Sequence, residues 1–224
     1  GTATDLVLPD KINGSNYSIY NRAFYMRNDL TSVVISEGVT NIGNSAFREC
    51  GKLISVTIGN NVTNIGKYAF RYCSKLTNLT IGNNVTDIGN YVFQGCDNLI
   101  AVDIPDSVIN IGDYAFGECN RLTTITISAN VTNMGNAPFV GCKALKRLTV
   151  ASENAYFYSS GNCIITKKNI LDGQGNITTP AGTLVVGCKN SVIPTDGSVT
   201  SIGNAAFKRT DLTNVIIPDS VTSI

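Results

Sequence analysis

Phenylalanine stands at Phe24, Phe47, Phe70, Phe93, Phe116 and Phe139, a constant step of 23 residues. Leucine keeps the same step at Leu30, Leu53, Leu76, Leu99, Leu122 and Leu145, and glycine does so from Gly43 to Gly135. Six matched anchors are not chance, and they restrict the fold more than any other feature. Each unit is too short to bury its own apolar face, so the units must stack. The rhythm breaks after Val150 and returns in "VTSIGNAAF" with Phe207, 68 residues after Phe139 and one short of three periods.

A period of this length carrying L-x-x-L-x-L specifies a leucine-rich-repeat solenoid. We expect a mainly β, right-handed coil with parallel sheets. The strand of each unit reads as "LISVTI", "LTNLTI", "LIAVDI", "LTTITI" and "LKRLTV". Alternation turns Val56 and Ile58 inward and Ser55 and Thr57 outward. "GNN" or "PDS" makes a turn. "VTNIG" is a second extended piece with Val62 and Ile65 inward. "YAFRYC" buries Ala69, Phe70 and Cys73, and its apolar spacing of three predicts a tight helical or 3₁₀-like turn. The whole chain, 1–224, reads as one solenoid, with regular repeats over about 16–150 and 199–224 and an elaborated, hairpin-bearing repeat over about 151–198.

Composition removes several function classes. The 224 residues are 43% hydrophobic and 15% charged, enough for a core. With 17 basic and 16 acidic residues the net charge is +1, which gives no field for nucleic acid or an anionic membrane. No apolar run approaches the roughly 18 residues of a membrane span. There is no histidine, so Ser-His-Asp and Cys-His nucleophiles and the usual histidine-containing metal sites cannot be built. "DGQGN" at 172–176 lacks the alternating acids of a calcium loop. Asp103 with Asp106 is an acid pair without a concave pocket to serve. No enzyme, cofactor or metal is expected. The opening "GTATDLVLPDKING" has no signal-peptide pattern and the chain stops inside a repeat, so it reads as a piece of a longer protein.

The run "VTNIGKYAFRYCSKLTNLTIGNNVTDIGNYVFQGCDNLIAVDIPDSVINIGDYAFGEC" resembles the BspA-type leucine-rich repeats, on its "IPDSV", "IG..AF", "C..L" and "LT.ITI" marks. The likeness covers roughly 16–150 and 192–224. It implies a surface or secreted bacterial protein and, in several members, an adhesin. "ENAYFYSSGNCIITKKNILDGQGNITTPAGTLVVGCKNSVIP" resembles the hairpin-bearing long repeat found in this family. There "CIITKK" and "TLVVGC" would pair, and the Gly-rich segment between them would protrude.

Seven cysteines occur, five of them in register at Cys50, Cys73, Cys96, Cys119 and Cys142. Equivalent side chains on turns about 4.8 Å apart point the same way and do not converge, so a buried ladder is expected rather than disulfides or a metal site. Arg27 holds the cysteine position in the first repeat, and Thr210 lies near it in the last. Cys163 and Cys188 could face each other across the hairpin, and a disulfide there is left open.

For ligand contact the candidates are Asn169, Asp172, Gln174, Asn176 and Thr178 on the protruding insert. The periodic row Tyr68, Tyr91 and Tyr114 is a second set, either an exposed aromatic stripe or phenols covering the core edge with their hydroxyls in water, the plainer reading. The outward strand face, with Ser55, Thr57, Asn78, Thr80, Thr124 and Thr126, is polar and nearly neutral. Sequons at Asn61, Asn84 and Asn130 arise from the repeat's own "NVT" turn. The expected function is a non-catalytic interaction or adhesion module of an exported bacterial surface protein, located outside the cell. It would be a monomer that binds a host or microbial surface protein or a glycan, with no nucleic acid and no membrane insertion. The alternative is a spacer holding another domain away from the cell.

Overall fold

The structure, a computed structural model, describes residues 4–224. The fold is mainly β, and successive turns lie in parallel register. In the first ladder Thr4–Val7, Leu30–Ile35, Ser55–Ile58 and Asn78–Thr80 pair side by side. Val56 sits beside Val33 on one side and Leu79 on the other, one repeat away in each direction. The second ladder has six parallel strands: Tyr17–Ile19, Val39–Ile42, Asn64–Ile65, Asp87–Ile88, Asn110–Ile111 and Asn133–Met134. It is built from the "VTNI" segments. The glycine that follows each strand from Val39–Ile42 onward is required by close approach, while Tyr20 holds that place after Tyr17–Ile19. A Cβ on Gly66 or Gly89 would lie 2.8 or 2.7 Å from the carbonyl oxygen of Ile42 or Ile65 in the preceding turn.

The strand expected in "LIAVDI" is not formed. Residues 100–104 form no ladder strand, although the Ile100 carbonyl accepts from the Thr123 N–H at 3.1 Å, and the ladder resumes as Thr124–Ile127 paired with Arg147–Val150. At two equivalent places the residue after the strand ties it to the preceding turn: the Gly59 N–H donates to the Ile35 carbonyl at 2.8 Å and the Ala151 N–H to that of Ile127 at 2.9 Å. Pro105 holds this position and has no N–H. Val102 and Ile104 still face the core.

A second correction concerns "YAFRYC". No helix or 3₁₀ segment occurs among the described residues. A third ladder stands in its place. Alternate residues donate to the next turn: Ser45 to the Lys67 carbonyl at 2.9 Å, Phe47 to Ala69 at 2.8 Å and Glu49 to Arg71 at 2.8 Å. The residues between them donate backwards within the turn, Ala46 to Gly43, Arg48 to Ser45 and Cys50 to Phe47. A helix would consume every N–H inside the segment and leave its turns unlinked. The alternation needs left-handed backbone at two positions per repeat, occupied by Ser45 and Glu49, Tyr68 and Tyr72, or Tyr91 and Gly95. Pro138 fits because its position donates only within the turn, and its carbonyl still accepts from Phe116 at 2.8 Å.

Inside these three ladders the anchors stack like on like. Neighbouring rings from Phe24 to Phe139 have centroids 4.8 to 5.7 Å apart and nearly parallel planes. Such pairs add about 0.5–1.5 kcal/mol beyond burial. The periodic thiols are buried and free. Each donates to a phenylalanine carbonyl one turn back, as Cys73 does to Phe47 at 3.2 Å and Cys142 to Phe116 at 3.1 Å. Thr210, after the interruption, donates instead to Phe207 in its own turn.

The elaborated segment pairs Phe157–Ser160 and Thr183–Val186 antiparallel with Cys163–Thr166. Ser201–Ile202 then joins Thr183–Val186 in parallel. The expected pairing of "CIITKK" with "TLVVGC" is present. Cys163–Thr166 is buried along its length. Ile164 faces the main core, while Cys163 and Ile165 join a second core with Leu184, Val199 and Ile202. Cys163 and Cys188 are both free thiols, so the disulfide left open by the sequence is not formed.

Replacing Phe70 by alanine should cost about 3–5 kcal/mol, because its cavity is walled by rings on both sides. Urea denaturation checks this, and a loss below about 1 kcal/mol would contradict the ring stack. The thiols generate a second expectation. Burial pushes Cys73, Cys96 and Cys119 well above the usual thiol range and Cys163 up to about 11. Above about pH 8.5 the unfolded chain releases thiol protons that the folded chain keeps. Stability is therefore full below that pH and falls as pH rises, by about 1.4 kcal/mol per unit for each such thiol. Denaturation midpoints from pH 7 to 10.5 should show this decline, and a Cys96→Ala variant should show a shallower one.

Candidate functional site

The insert's tip is a small hairpin in which Ile170–Leu171 pairs with Ile177–Thr179. Asp172 closes it. One carboxylate oxygen accepts from the Gln174 and Asn176 backbone N–H groups, both at 2.9 Å, and the other accepts from the Asn176 side-chain amide at 2.9 Å. These bonds, the Asn176 amide foremost, hold the Asp172 carboxyl below its usual pKa. Asn169 accepts from the Ala181 N–H at 2.8 Å, and Thr178 donates to the Ile170 carbonyl at 3.1 Å. Four of the five polar candidates on the insert thus hold the hairpin's own shape. Gln174 alone among them presents a side-chain amide without a protein partner.

The tip also exposes apolar surface that the sequence reading missed. Leu171 is 55% and Ile177 56% exposed. An apolar residue in a short extended run reads as core, so no sequence signal marked them. At the base of the hairpin, Asn169 and Leu171 help line a cleft of about 430 Å³ against Asn110 and Asn133 of the second ladder. The Lys168 ammonium sits 3.7 Å from the centroid of the Tyr156 ring there.

The tyrosine row lies elsewhere, on the outer side of the third ladder. Tyr68, Tyr91 and Tyr114 are each half-buried and each occupy the first left-handed position of their turn, with φ of 63°, 61° and 53°. A tyrosine there is strained by roughly 1–2 kcal/mol, and ring stacking offsets part of this. Tyr91 and Tyr114 are parallel at 5.0 Å, while Tyr68 and Tyr91 are tilted by 32° at 5.1 Å. Cations border the tilted pair. Lys67 Nζ lies 4.8 Å from the Tyr68 centroid and 5.8 Å from that of Tyr91. The Arg71 guanidinium lies 5.2 Å from Tyr68, 4.5 Å from Tyr72 and 5.6 Å from Tyr91. In the sequence these cations look like ordinary solvated charges. Beside them is a cleft of about 450 Å³ between the rows of Asn21, Asn44 and Lys67 and of Arg22, Ser45 and Tyr68. Asn21 and Asn44 each accept from the backbone N–H of the next turn, at 2.7 and 2.8 Å. Their period of 23 could have marked them as structural.

The outward strand face carries the expected threonine ladder, with Thr126 and Thr149 hydroxyls 2.8 Å apart. Among the described residues no group of three or more cysteines or acids is arranged to hold a metal ion, and no helix is long and apolar enough to cross a membrane.

The chain matches the family model described as BspA type leucine rich repeat region, in six copies over residues 17–146, 64–182 and 122–224. Solved structures share the fold. A leucine rich cell surface protein from Faecalibacterium prausnitzii A2-165 is similar at a TM-score of 0.67 and 29% identity, over 100% of this chain and 66% of that one. A leucine-rich repeat protein from Eubacterium ventriosum ATCC 27560 gives a TM-score of 0.73 at 23% identity, over 88% of this chain and 50% of that one. One from Bacteroides ovatus ATCC 8483 gives 0.59 at 26% identity, over 84% and 52%. This chain therefore spans about half to two thirds of the length of each. No curated protein matches it.

Removing the Asp172 carboxylate by Asp172→Ala should loosen the hairpin tip without unfolding the coil. Amide exchange at Gln174 and Asn176 should accelerate at least tenfold while the melting midpoint stays within about 2 °C, because only exposed turn contacts are lost. Unchanged exchange at both amides would show that the turn does not depend on Asp172.

Proposed function

The chain belongs to the BspA-type leucine-rich repeat family, and from that premise we propose that it is a non-catalytic interaction module of an exported bacterial cell-surface protein, adhering to a surface protein of a host or another microbe. Stacked repeats of this kind present extended surfaces without an ordering cost at binding. The observation that carries the reading is the insert's tip. Leu171 and Ile177 stand exposed on a hairpin whose polar side chains are engaged mostly with its own backbone. A rigid protrusion with an apolar tip is suited to a shallow apolar depression on a partner protein, where desolvated anchors supply most of the affinity. Asn169, Asp172, Asn176 and Thr178 then act by holding the tip in shape, with Gln174 at its polar rim. A surface location accords with the Faecalibacterium structure, which is described as a cell surface protein.

The test is binding of the purified chain to immobilised extracellular matrix proteins, mucin and fixed epithelial and bacterial cells. Paired Leu171→Ser and Ile177→Ser substitutions should weaken capture by protein targets at least tenfold and leave the melting midpoint unchanged. Equal capture by the double variant would remove the tip from the contact. Failure to bind any target would favour a spacer.

A further inference from the structure

The third ladder's outer side has a charge arrangement that the coil does not need. The described residues form three ion pairs, Arg27 with Asp29, Arg48 with Glu49 and Arg209 with Glu118. Lys67 and Arg71 belong to none of them, yet both are held against the same two rings, Tyr68 and Tyr91. One Arg71 nitrogen donates to the Tyr72 hydroxyl at 2.8 Å. Its Nε is buried without an acceptor, and the Oε1 of Gln94, at the equivalent place one turn on, is likewise buried and unpartnered. Two cations without an acidic partner among the described residues, Lys67 and Arg71, therefore lie together beside the same two rings. An anion seated on this face would compensate both.

We propose that Lys67, Arg71 and the Tyr68–Tyr91 pair form a binding site for an acidic glycan, a pyranose chain carrying carboxylate or sulfate groups. The proposal rests on the reading of the chain as an adhesion module and names a second ligand class for it, at a site separate from the insert. The anionic group sits between Lys67 and Arg71. The hydroxyl-bearing rings lie along the tyrosine row, whose ring centroids repeat at 5.1 and 5.0 Å and whose phenol hydroxyls have no hydrogen-bond partner among the described residues. A phenol both donates and accepts, as sugar hydroxyls require. The adjoining cleft of about 450 Å³ is lined by Asn21, Arg22, Asn44 and Ser45 together with Lys67 and Tyr68, and it adds a third cation beside the row. The amide oxygens of Asn21 and Asn44 are engaged by backbone N–H groups, which leaves their NH₂ groups as outward donors. A nucleic acid, with a charge at every phosphate, would need a longer run of free cations.

The experiment is titration calorimetry on the full chain at 150 mM salt. The probes are hexasaccharides of hyaluronan (carboxylate only) and heparin (carboxylate and sulfate), with neutral cellohexaose and hexaglutamate as controls. One or both acidic glycans should bind, and comparing them separates carboxylate from sulfate recognition. Lys67→Gln and Arg71→Gln should each weaken binding about tenfold, the loss of one charge-assisted contact. Tyr91→Phe should weaken it about threefold. Lys52→Gln with Lys75→Gln, in a different cleft of similar charge, should leave it unchanged. If Arg71→Gln proves unstable, Arg71→Lys replaces it and should lose affinity while keeping the charge. The proposal is overturned if neither acidic glycan binds below 1 mM, if the Lys52/Lys75 variant weakens binding as much, or if cellohexaose or hexaglutamate binds as well as the acidic glycans. Because the protein-target assay uses the insert, its outcome is independent: capture of a protein without glycan binding removes this site and leaves the module reading intact.

Discussion

The coil depends on one constraint: regular turns satisfy their neighbours' backbone at the same three places, and only the first of these is interrupted, at 100–104. The two β ladders do this in the usual parallel manner. The third does it with alternating N–H directions, three bonds outward and three inward, which holds the chain in left-handed backbone twice per repeat. The apolar ladder follows from that arrangement. Phenylalanine lies between the two left-handed positions and donates its own N–H to the next turn, so its ring is placed directly over the ring before it. The thiol three residues later donates to the phenylalanine carbonyl one turn back. A small side chain with a weak donor suits that place, which accounts for cysteine recurring without any redox or metal chemistry.

Much of this is legible in the chain. The period, the inward Leu53, Val56, Ile58, Val62, Ile65, Ala69, Phe70 and Cys73, and the pairing across the insert all follow from spacing and alternation. The third ladder is not, because apolar residues three apart suit a helical turn equally well. Only the bonds to the next turn distinguish the two, and they lie 22 residues away in sequence. Gly95 and Gly141 occupy left-handed positions, but Met26, Glu49, Tyr72 and Glu118 at the equivalent positions obscure the signal. The missing strand at 100–104 has a local cause in Pro105. The candidate sites divide similarly. The insert is recognisable as a protrusion from its glycines, whereas the bonding of Asn176 to Asp172, that of Thr178 to the Ile170 carbonyl and the exposure of Leu171 and Ile177 are facts of geometry.

The two surfaces offered to partners differ in origin. The insert interrupts the period, and its shape is made by contacts within a single hairpin. The tyrosine row is the period itself, with the same side chain repeated at the stacking distance and cations added at one end. The first can change without disturbing the coil. The second cannot be moved, because Tyr68 and Tyr91 sit at backbone positions that the third ladder dictates.

Almost every inter-turn bond in the regular part joins residues 22 to 26 apart. Excising one complete unit from that part would bring equivalent donors and acceptors together and leave no bond unmade. Length is thus adjustable in whole quanta, and recombination between near-identical gene segments could lengthen or shorten the protein without inventing a new interface. The antiparallel segment after Val150 lacks this freedom, since its buried strand is matched to a different core on each side. It therefore acts as a fixed landmark against which a coil of variable length would be measured.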